Sequence, residues 1–369
     1  MSDRIRITYR LHAGEKADAE HLARRIALEQ TVELPDGCYP ERVEREIVGR
    51  VESVQAIEDR GTRVTISYPA ASVGGEVPQL LNLLFGNVSF FADVEVLDLQ
   101  LPASFDGVLQ GPRFGIDGLR AAVGVTDRPL VCTAAKPVGL TSEELAERCA
   151  AFARGGMDVI KDDHSVTDQR MAPFRDRVVR CQEAVHEANL ATGNRTLYFP
   201  NVTAPFDDLA SRVEIATSIG CRGVVVSPFI TGLDVLRWLA EESGLIVLAH
   251  PTFAGGLVRG GQGIAPALLF GYLLRTLGAD GVIFLNIGGR FPVGQTECQA
   301  IATRLRETGT HRPAMPVPGG GIDVDTVPTW MREYGRDVMF LIGSSLYARQ
   351  RLEPATRALL QAIRGHSNE

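Results

Sequence analysis

The chain has 369 residues, of which 45% are hydrophobic and 22% charged, and its formal net charge is −7. This composition is typical of a soluble globular protein, and the length suits one large α/β domain or two domains. The negative charge argues against nucleic-acid binding, which normally needs a basic face, and no apolar run is long enough to span a bilayer. The N-terminus lacks the apolar core of a signal peptide. The six scattered cysteines form no CxxC pair, so we expect small buried thiols in a reducing cytoplasm.

The first hundred residues predict a small α+β domain. Polar and apolar residues alternate over residues 4–10, which predicts a half-buried strand, and an amphipathic helix is expected over 17–29. Further strands are expected over 44–57, 63–68 and 92–101, with a second helix over 78–85. Strand-helix-strand-strand-helix-strand is the order of a ferredoxin-like domain, which we assign to residues 1–124. Glu29 and Asn87 lie in two short polar segments that are candidates for a site, although each segment alone is more typical of a helix end or a turn.

After residue 124 short β-branched runs alternate with helix-length segments. Eight such strands separated by helices predict a (β/α)8 barrel over residues 125–369, with a doubly wound sheet as the alternative. The expected strands are Leu130–Ala135, Met157–Ile160, Thr196–Pro200, Gly223–Ser227, Leu245–Ala249, Gly281–Leu285, Ala314–Val317 and Val338–Ile342.

Polar residues follow almost every expected strand, at the end where barrel enzymes place their active sites. Individually, Asn201 and Asn286 are also typical of turns, and His250 is typical of a hydrogen-bonded core histidine. Their joint placement favours an active site. The residues concerned are Lys136, Lys161, Asp163, His164, Asn201, His250 and Asn286.

Lysine is rare in this chain, because only Lys16, Lys136 and Lys161 are lysine among 38 lysines and arginines. Arginine stays charged in proteins, whereas a desolvated lysine supplies a reactive amine or takes up CO2 as a carbamate. Two of the three lysines follow or end expected strands, which favours amine chemistry there over chance and a solvated ammonium.

Glycine-rich segments follow the last three strands. The runs Gly319-Gly320-Gly321 and Gly343-Ser344-Ser345 come after strands seven and eight, where barrels commonly bind phosphate through backbone N–H groups. Plain loops are the alternative for either run alone. Arg290, after two glycines that follow strand six, is a candidate for a second anionic group.

Several motifs together resemble the RuBisCO large-chain superfamily, specifically its form IV RuBisCO-like proteins, over nearly the whole chain. Lys136-Pro137 with Gly139-Leu140 is similar to the KPxxGL motif, and the segment 156–163 is similar to GGxDxxKDD. Further matching segments are Gly86-Asn87-Val88, Leu109-Gln110-Gly111-Pro112, Asn201-Val202-Thr203, His250 and Gly319-Gly320-Gly321-Ile322.

The resemblance implies that Lys161 is carbamylated and binds Mg²⁺ with Asp163, that Lys136 is an acid/base and that His250 orients the substrate. It also implies that the last two glycine loops hold a phosphate. Glu29 and Asn87 would complete the active site of a neighbouring subunit, in a homodimer or larger assembly.

The chain departs from the carbon-fixing members at several positions. His164 replaces a glutamate ligand, so the third metal ligand becomes nitrogen or is lost. The KPxxGL segment is one residue shorter and lacks a second lysine, and Pro251 follows His250 in place of an arginine. The strand-six loop contains Arg290 but no lysine. Ribulose-bisphosphate carboxylation is therefore not expected.

What these departures leave is a site that stabilises an enolate on a sugar phosphate. Our main hypothesis is decarboxylation or C–C hydrolysis of a phosphorylated 3-oxo sugar acid, of the 3-oxo-isoapionate-4-phosphate type. One alternative is an enolase or isomerase of a methylthio-ribulose or diketo-methylthiopentyl phosphate, against which the loss of the acidic ligand at His164 counts. A non-catalytic phosphate-binding protein is the other alternative, against which the two retained lysines count.

Overall fold

The computed structural model describes residues 3–12, 16–57, 61–349 and 351–366. The chain divides into two compact units, the first made of Met1–Gln110 and Ala254–Leu269 and the second of Gly111–Phe253 and Phe270–Glu369. The segment around residues 115–123, which we had assigned to the N-terminal domain, belongs to the second unit.

The strands are β1 (Arg4–Leu11), β2 (Arg50–Ile57), β3 (Gly61–Pro69), β4 (Val94–Gln100), β5 (Leu130–Ala135), β6 (Val159–Asp162), β7 (Leu197–Phe199), β8 (Gly223–Val226), β9 (Ile246–Ala249), β10 (Gly263–Ile264), β11 (Gly281–Leu285), β12 (Met315–Gly319) and β13 (Met339–Leu341).

The α-helices are α1 (Lys16–Glu29), α2 (Glu41–Glu46), α3 (Val77–Phe85), α4 (Gly115–Val123), α5 (Ser142–Gly155), α6 (Phe174–Thr192), α7 (Phe206–Ser218), α8 (Pro228–Thr231), α9 (Asp234–Trp238), α10 (Leu274–Thr276), α11 (Gln295–Arg306), α12 (Val327–Tyr334), α13 (Ser344–Tyr347) and α14 (Leu352–His366). Short 3-10 turns cover Ala70–Ser72, Asn87–Phe90, Ala103–Phe105 and Ala254–Gly256, and π-helical turns cover Leu239–Ser243 and Ala267–Leu273.

The first unit is built on a five-stranded sheet with the order β10-β4-β1-β3-β2. The pairs β1–β3, β1–β4 and β2–β3 are antiparallel, and β10 adds to β4 in parallel. Helix α1 buries Ala19, Ala23, Ile26 and Ala27, which recur at helical spacing on one face. Strands β1 to β4 with helices α1 and α3 confirm the ferredoxin-like prediction.

The second unit is a barrel of eight parallel strands in the order β7-β6-β5-β13-β12-β11-β9-β8, which confirms the (β/α)8 prediction. A parallel bridge between Asn201 and Val225 joins the two outer strands of that order. Helix α4 packs Ile116 and Leu119 into the barrel core. Asp280, just before β11, accepts hydrogen bonds from the backbone N–H of Gly115 at the start of α4. The amino end of the barrel is thereby occupied by structural contacts, which leaves the carboxyl end for chemistry.

Three details of the sequence-based predictions are wrong. The strand expected to end at residue 160 runs over β6 and therefore contains Lys161 and Asp162. The strand expected from residue 44 begins at Arg50, because Glu41–Glu46 forms α2. Cys38 is exposed, although the other five cysteines are buried as expected. Among the helices of the described residues, none is long and apolar enough to cross a membrane.

Candidate active site

Lys161 lies inside β6 with only 1% of its surface exposed. Its Nζ donates a hydrogen bond to the Asp162 carbonyl oxygen at 3.0 Å. Burial lowers the pKa of Lys161, and the positive charge of Lys136 lowers it further, whereas the Asp163 carboxylate raises it. A lowered pKa favours the neutral amine, which is the form that moves protons and takes up CO2.

The Asp162 side chain is fully buried and is the centre of a hydrogen-bonded cluster. Its Oδ1 accepts from the Tyr198 hydroxyl at 2.7 Å, and its Oδ2 accepts from Arg177 Nε at 3.1 Å and from the Asn201 backbone N–H at 3.0 Å. Burial lowers the pKa of Arg177, but the Asp162 carboxylate more than offsets this, and the net pKa lies above its usual value. The cluster joins β6 to α6 and β7, so it fixes the strand that carries Lys161.

Asp163 and His164 follow β6 and lie side by side. Asp163 Oδ1 is 3.3 Å from His164 Nδ1 and accepts the Ser165 backbone N–H at 3.1 Å. The His164 ring stacks on His250, with 4.4 Å between ring centroids and 13° between planes. The sequence predicted that both histidines belong to the site, and the structure brings them into direct contact.

His250 follows β9 and has a defined tautomer. Its Nδ1 accepts the Thr252 backbone N–H at 3.2 Å, so its proton is on Nε2. Burial lowers the pKa of His250 well below its usual value, and Lys161 and His164 lower it further. Burial also lowers the pKa of His164, against the Asp163 charge. Both imidazoles are therefore neutral near pH 7, and His250 can donate a hydrogen bond from Nε2.

Lys136 follows β5 and is half-buried. Its backbone N–H donates to the Tyr347 hydroxyl at 3.2 Å, and that hydroxyl donates to the Ala134 carbonyl at 2.8 Å. Lys136 Nζ is 5.9 Å from the centroid of the Tyr347 ring. A Cβ on Gly343 would lie 3.0 Å from Lys136 Nζ, so the missing side chain leaves room for the amine. The last strand and α13 thus shape the position of Lys136.

Asn201 and Asn286 both fasten loops with their side-chain amides. Asn201 Nδ2 donates to the His164 and Val166 carbonyls, each at 3.1 Å. Asn286 Nδ2 donates to the Gly320 carbonyl at 3.1 Å, and its Oδ1 accepts from the Tyr334 hydroxyl at 2.7 Å. These contacts position the site loops, and direct contact of either asparagine with substrate stays a prediction.

The glycine loops after β11 and β12 pack backbone against backbone. A Cβ on Gly321 would lie 2.6 Å from the Gly288 carbonyl carbon, and a Cβ on Gly320 would lie 3.1 Å from Gly289 Cα. Gly320 and Gly321 also have φ angles of 111° and 66°, which favour glycine. Arg290, which follows Gly289 in sequence, and Ser344, at the start of α13, are both exposed. Gly319, Gly343 and these residues remain candidates for phosphate binding.

Glu29 and Asn87 lie together in the first unit. Asn87 Nδ2 donates to Glu29 Oε1 at 2.9 Å and to Glu33 Oε1 at 3.2 Å. They line a pocket of about 280 Å³ with Gln30 and Thr31. Sequence reasoning identified Glu29 and Asn87 as separate candidates, and the structure places both residues at one polar pocket.

The predicted metal ligands fit a divalent cation only if Lys161 contributes. In residues 3–12, 16–57, 61–349 and 351–366, no three His, Cys, Asp or Glu side chains group as a metal site. Asp163 and His164 supply two donors, and a carbamate on Lys161 would supply oxygen as a third. The buried, low-pKa amine of Lys161 suits carbamate formation, so these residues fit the ion.

Two residues of the site were missed by sequence reasoning. Tyr347 carries no local signal, because its partners Lys136 and Ala134 are more than two hundred positions away. Arg177 had one signal, since it lies at helical spacing among the apolar residues Phe174, Val178 and Cys181 of α6. An arginine on the buried face of a helix indicates a buried carboxylate partner.

Comparison with known proteins identifies relatives over the full length. Residues 115–351 match the family model for the ribulose bisphosphate carboxylase large chain, catalytic domain. The chain is 42% identical over 351 residues to ribulose bisphosphate carboxylase-like protein 1 of Rhodopseudomonas palustris, covering 94% of each chain. It is 40% identical over 370 residues to 5-methylthioribulose-1-phosphate isomerase of Rhodospirillum rubrum, covering 99% of this chain and 97% of that one.

A more distant relative is named as an enolase. Identity to 2,3-diketo-5-methylthiopentyl-1-phosphate enolase of Bacillus pumilus is 33% over 358 residues, covering 93% of this chain and 88% of the enolase. Among solved structures, a Rubisco-like protein from Rhodopseudomonas palustris aligns with a TM-score of 0.89 at 37% identity, covering 99% of both chains. A dimeric archaeal Rubisco from Hyperthermus butylicus aligns with a TM-score of 0.89 at 25% identity, covering 99% of this chain and 91% of that one.

Proposed function

Because the chain belongs to the ribulose bisphosphate carboxylase large-chain family, among its RuBisCO-like proteins, we propose that it isomerises a phosphorylated methylthio-pentulose. The substrate we propose is 5-methylthioribulose-1-phosphate. The observation that carries this proposal is the 40% identity to an isomerase of that compound over 99% of the chain.

The comparisons favour this alternative over our main hypothesis from the sequence. The named activities among the relatives are isomerase and enolase, and none of the relatives reported above supports decarboxylation of a 3-oxo sugar acid. The expectation that His164 counts against an isomerase carries less weight than similarity that extends along the whole chain.

The chain's own residues suit proton transfer next to a ketone. In the mechanism we propose, Nζ of Lys136 takes the proton from the carbon beside the carbonyl, and the C–H electron pair forms the double bond of an enediolate. The double-bond electron pair then takes the proton at the neighbouring carbon, while the remaining hydroxyl proton passes to the former carbonyl oxygen, so that the ketone has moved by one carbon. His250 Nε2 is available to donate a hydrogen bond to a substrate oxygen, and the glycine loops after β12 and β13 would hold the phosphate.

A divalent cation held by Lys161 as carbamate, Asp163 and His164 would stabilise the negative charge that develops on the substrate oxygens. The proposed cofactor is thus a divalent metal, for which the sequence predicted Mg²⁺.

The reaction is tested by NMR in D2O with 5-methylthioribulose-1-phosphate, bicarbonate and a divalent metal. We expect a new phosphate ester in the ³¹P spectrum and deuterium at the carbon that receives the proton. Lys136→Met should abolish both, whereas Lys16→Met, the same change at the start of α1, should not. Turnover of 2,3-diketo-5-methylthiopentyl-1-phosphate alone would favour the enolase. Release of CO2 from a phosphorylated 3-oxo sugar acid, without isomerisation, would contradict the proposal. Tight binding of the phosphate ester, with substitutions of Lys136 and Lys161 that change nothing but its affinity, would indicate a non-catalytic protein.

We further propose that the active protein is a homodimer or larger assembly whose sites are shared between subunits. Glu29 and Asn87 lie together at a polar pocket of the first unit, and one solved relative is described as dimeric. Mixing equal amounts of inactive Glu29→Gln and Lys136→Met subunits should restore up to about a quarter of the wild-type activity, because about half of randomly paired dimers are hybrids and each hybrid has one intact site out of two. Absence of restoration in a proven hybrid would contradict a shared site.

A further inference from the structure

Asp163 Oδ1 and His164 Nδ1 are spaced like two ligands of one metal ion. Protein ligands lie about 2.1 Å from a small divalent ion, so two such ligands are about 3.0 Å apart at a right angle and about 3.4 Å apart at the tetrahedral angle. The observed separation is 3.3 Å. Neither atom has to move far to bind the same ion.

His164 is held by one contact of its ring and one of its backbone. Its ring stacks on His250 at 4.4 Å, and its backbone carbonyl accepts the Asn201 side-chain amide at 3.1 Å. The side chain is nevertheless 39% exposed, so the ring is positioned without being enclosed. Such pre-positioning is typical of a ligand rather than of a solvated surface histidine.

The donor set that results is mixed. Asp163 and a carbamate on Lys161 supply oxygen, and His164 supplies nitrogen. Mg²⁺ takes oxygen ligands almost exclusively, whereas imidazole suits first-row transition metals. The residues at and after β6 therefore offer two oxygen ligands that suit Mg²⁺ and one nitrogen ligand that Mg²⁺ does not prefer.

We propose that His164 is a nitrogen ligand of the active-site cation, and that this nitrogen shifts the preference of the site from Mg²⁺ towards first-row transition-metal ions, for which Mn²⁺ serves as the paramagnetic probe. The inference rests on the same cation site as the proposed function. It is tested by metal binding, so its failure and the failure of the isomerase reaction are separate results.

The test uses metal-free full-length protein with bicarbonate and Mn²⁺ as the probe. Pulsed electron paramagnetic resonance should detect nitrogen coupling to Mn²⁺, and labelling histidine with ¹⁵N should change that coupling to the ¹⁵N pattern. The coupling should disappear in His164→Gln and His164→Glu and persist in His250→Gln. Circular dichroism and thermal melting establish that each variant is folded.

Metal selectivity provides the second measurement. The ratio of Mn²⁺ to Mg²⁺ affinity, from competition titrations, should fall about tenfold or more in His164→Glu relative to wild type, because an oxygen ligand restores the preference of Mg²⁺. The inference is overturned if histidine coupling persists in folded His164→Gln, if wild type binds Mn²⁺ without histidine coupling, or if the ratio is the same in wild type and His164→Glu.

Discussion

Removing the Arg177 guanidinium should destabilise the barrel far more than removing a similar surface arginine. Arg177 and Asp162 form an ion pair at 3.1 Å in which both side chains are 0% exposed. Loss of one partner of such a pair leaves a buried charge uncompensated, at a cost of about 3–5 kcal/mol. Asp162 would keep its bonds from Tyr198 and the Asn201 backbone, so we expect Arg177→Met to lie near the lower end, at about 3 kcal/mol.

Thermal unfolding measures this cost directly. A loss of about 3 kcal/mol lowers the Tm by about 6–12 °C in a unit of this size. The matched control is Arg180→Met, one turn along α6, because Arg180 pairs with Asp176 on the surface with side chains 50% and 47% exposed. We expect no measurable shift in the control, since exposed pairs contribute little.

The reasoning is refuted if Arg177→Met and Arg180→Met have the same Tm. A double-mutant cycle sharpens the test, because Asp162→Asn removes the charge that Arg177→Met leaves unpaired. The double variant should then lose clearly less stability than the sum of the two single variants. An additive result would mean that the two buried groups do not depend on each other.

Three further predictions concern a glycine, a buried carboxyl and a tyrosine. Gly321→Ala should weaken phosphate-ester binding and lower the Tm, because the new Cβ would lie 2.6 Å from the neighbouring loop's backbone at a φ of 66°, whereas Gly309→Ala, in open space, should do neither. Burial raises the pKa of Asp280 to about 6, so the folded state binds this proton more tightly than the unfolded state does. The free energy of unfolding of wild type, measured relative to Asp280→Asn, should therefore fall by up to about 3 kcal/mol as pH rises from about 4 to above 6. Tyr347→Phe should lower kcat more than it raises KM in the isomerase assay, because the lost hydroxyl holds the Lys136 backbone.

Each of these predictions has an outcome that contradicts it. Equal Tm values and equal ligand affinities for Gly321→Ala and Gly309→Ala would mean that the loop can move aside. Parallel stability curves for wild type and Asp280→Asn between pH 4 and 7.5 would show that Asp280 does not titrate there. For Tyr347→Phe, an unchanged kcat with normal folding would remove Tyr347 from the set of residues that position Lys136.

The barrel could be predicted from sequence because its strands are short apolar runs. Predicted and observed bounds agree for β5 and β11, where β-branched and apolar residues fill the whole strand. They disagree for β6, because Lys161 and Asp162 are polar residues in a buried strand. Their partners Arg177 and Tyr198 come from other elements; the position of Arg177 on the buried face of α6 indicates a carboxylate partner but does not say which one.

Strand-end polarity predicted a candidate site at the carboxyl end of the barrel, but it did not separate residues expected to contact substrate from residues that support loops. Asn201 and Asn286 follow strands just as His250 does, yet both amides are used to fasten loops. The contact between His164 and His250 joins residues 86 positions apart in sequence, so it emerges only when the strands close into a barrel. The two-residue strand β10 was not predicted, because a glycine-rich segment acquires strand geometry only through its pairing with β4.

The close packing of the loops after β11 and β12 has a consequence for how this protein can change over generations. A Cβ on Gly321 would lie 2.6 Å from the Gly288 carbonyl carbon, whereas a Cβ on Gly288 would lie 3.7 Å from Gly321 Cα, so it is Gly321 that accepts no side chain unless the loop after β11 retreats. A replacement of Gly321 should therefore be accompanied, in alignments of close relatives, by changes in the loop after β11. New substrate preferences would then arise by substitution of flanking residues such as Arg290, while the glycines that pack the two loops together are retained.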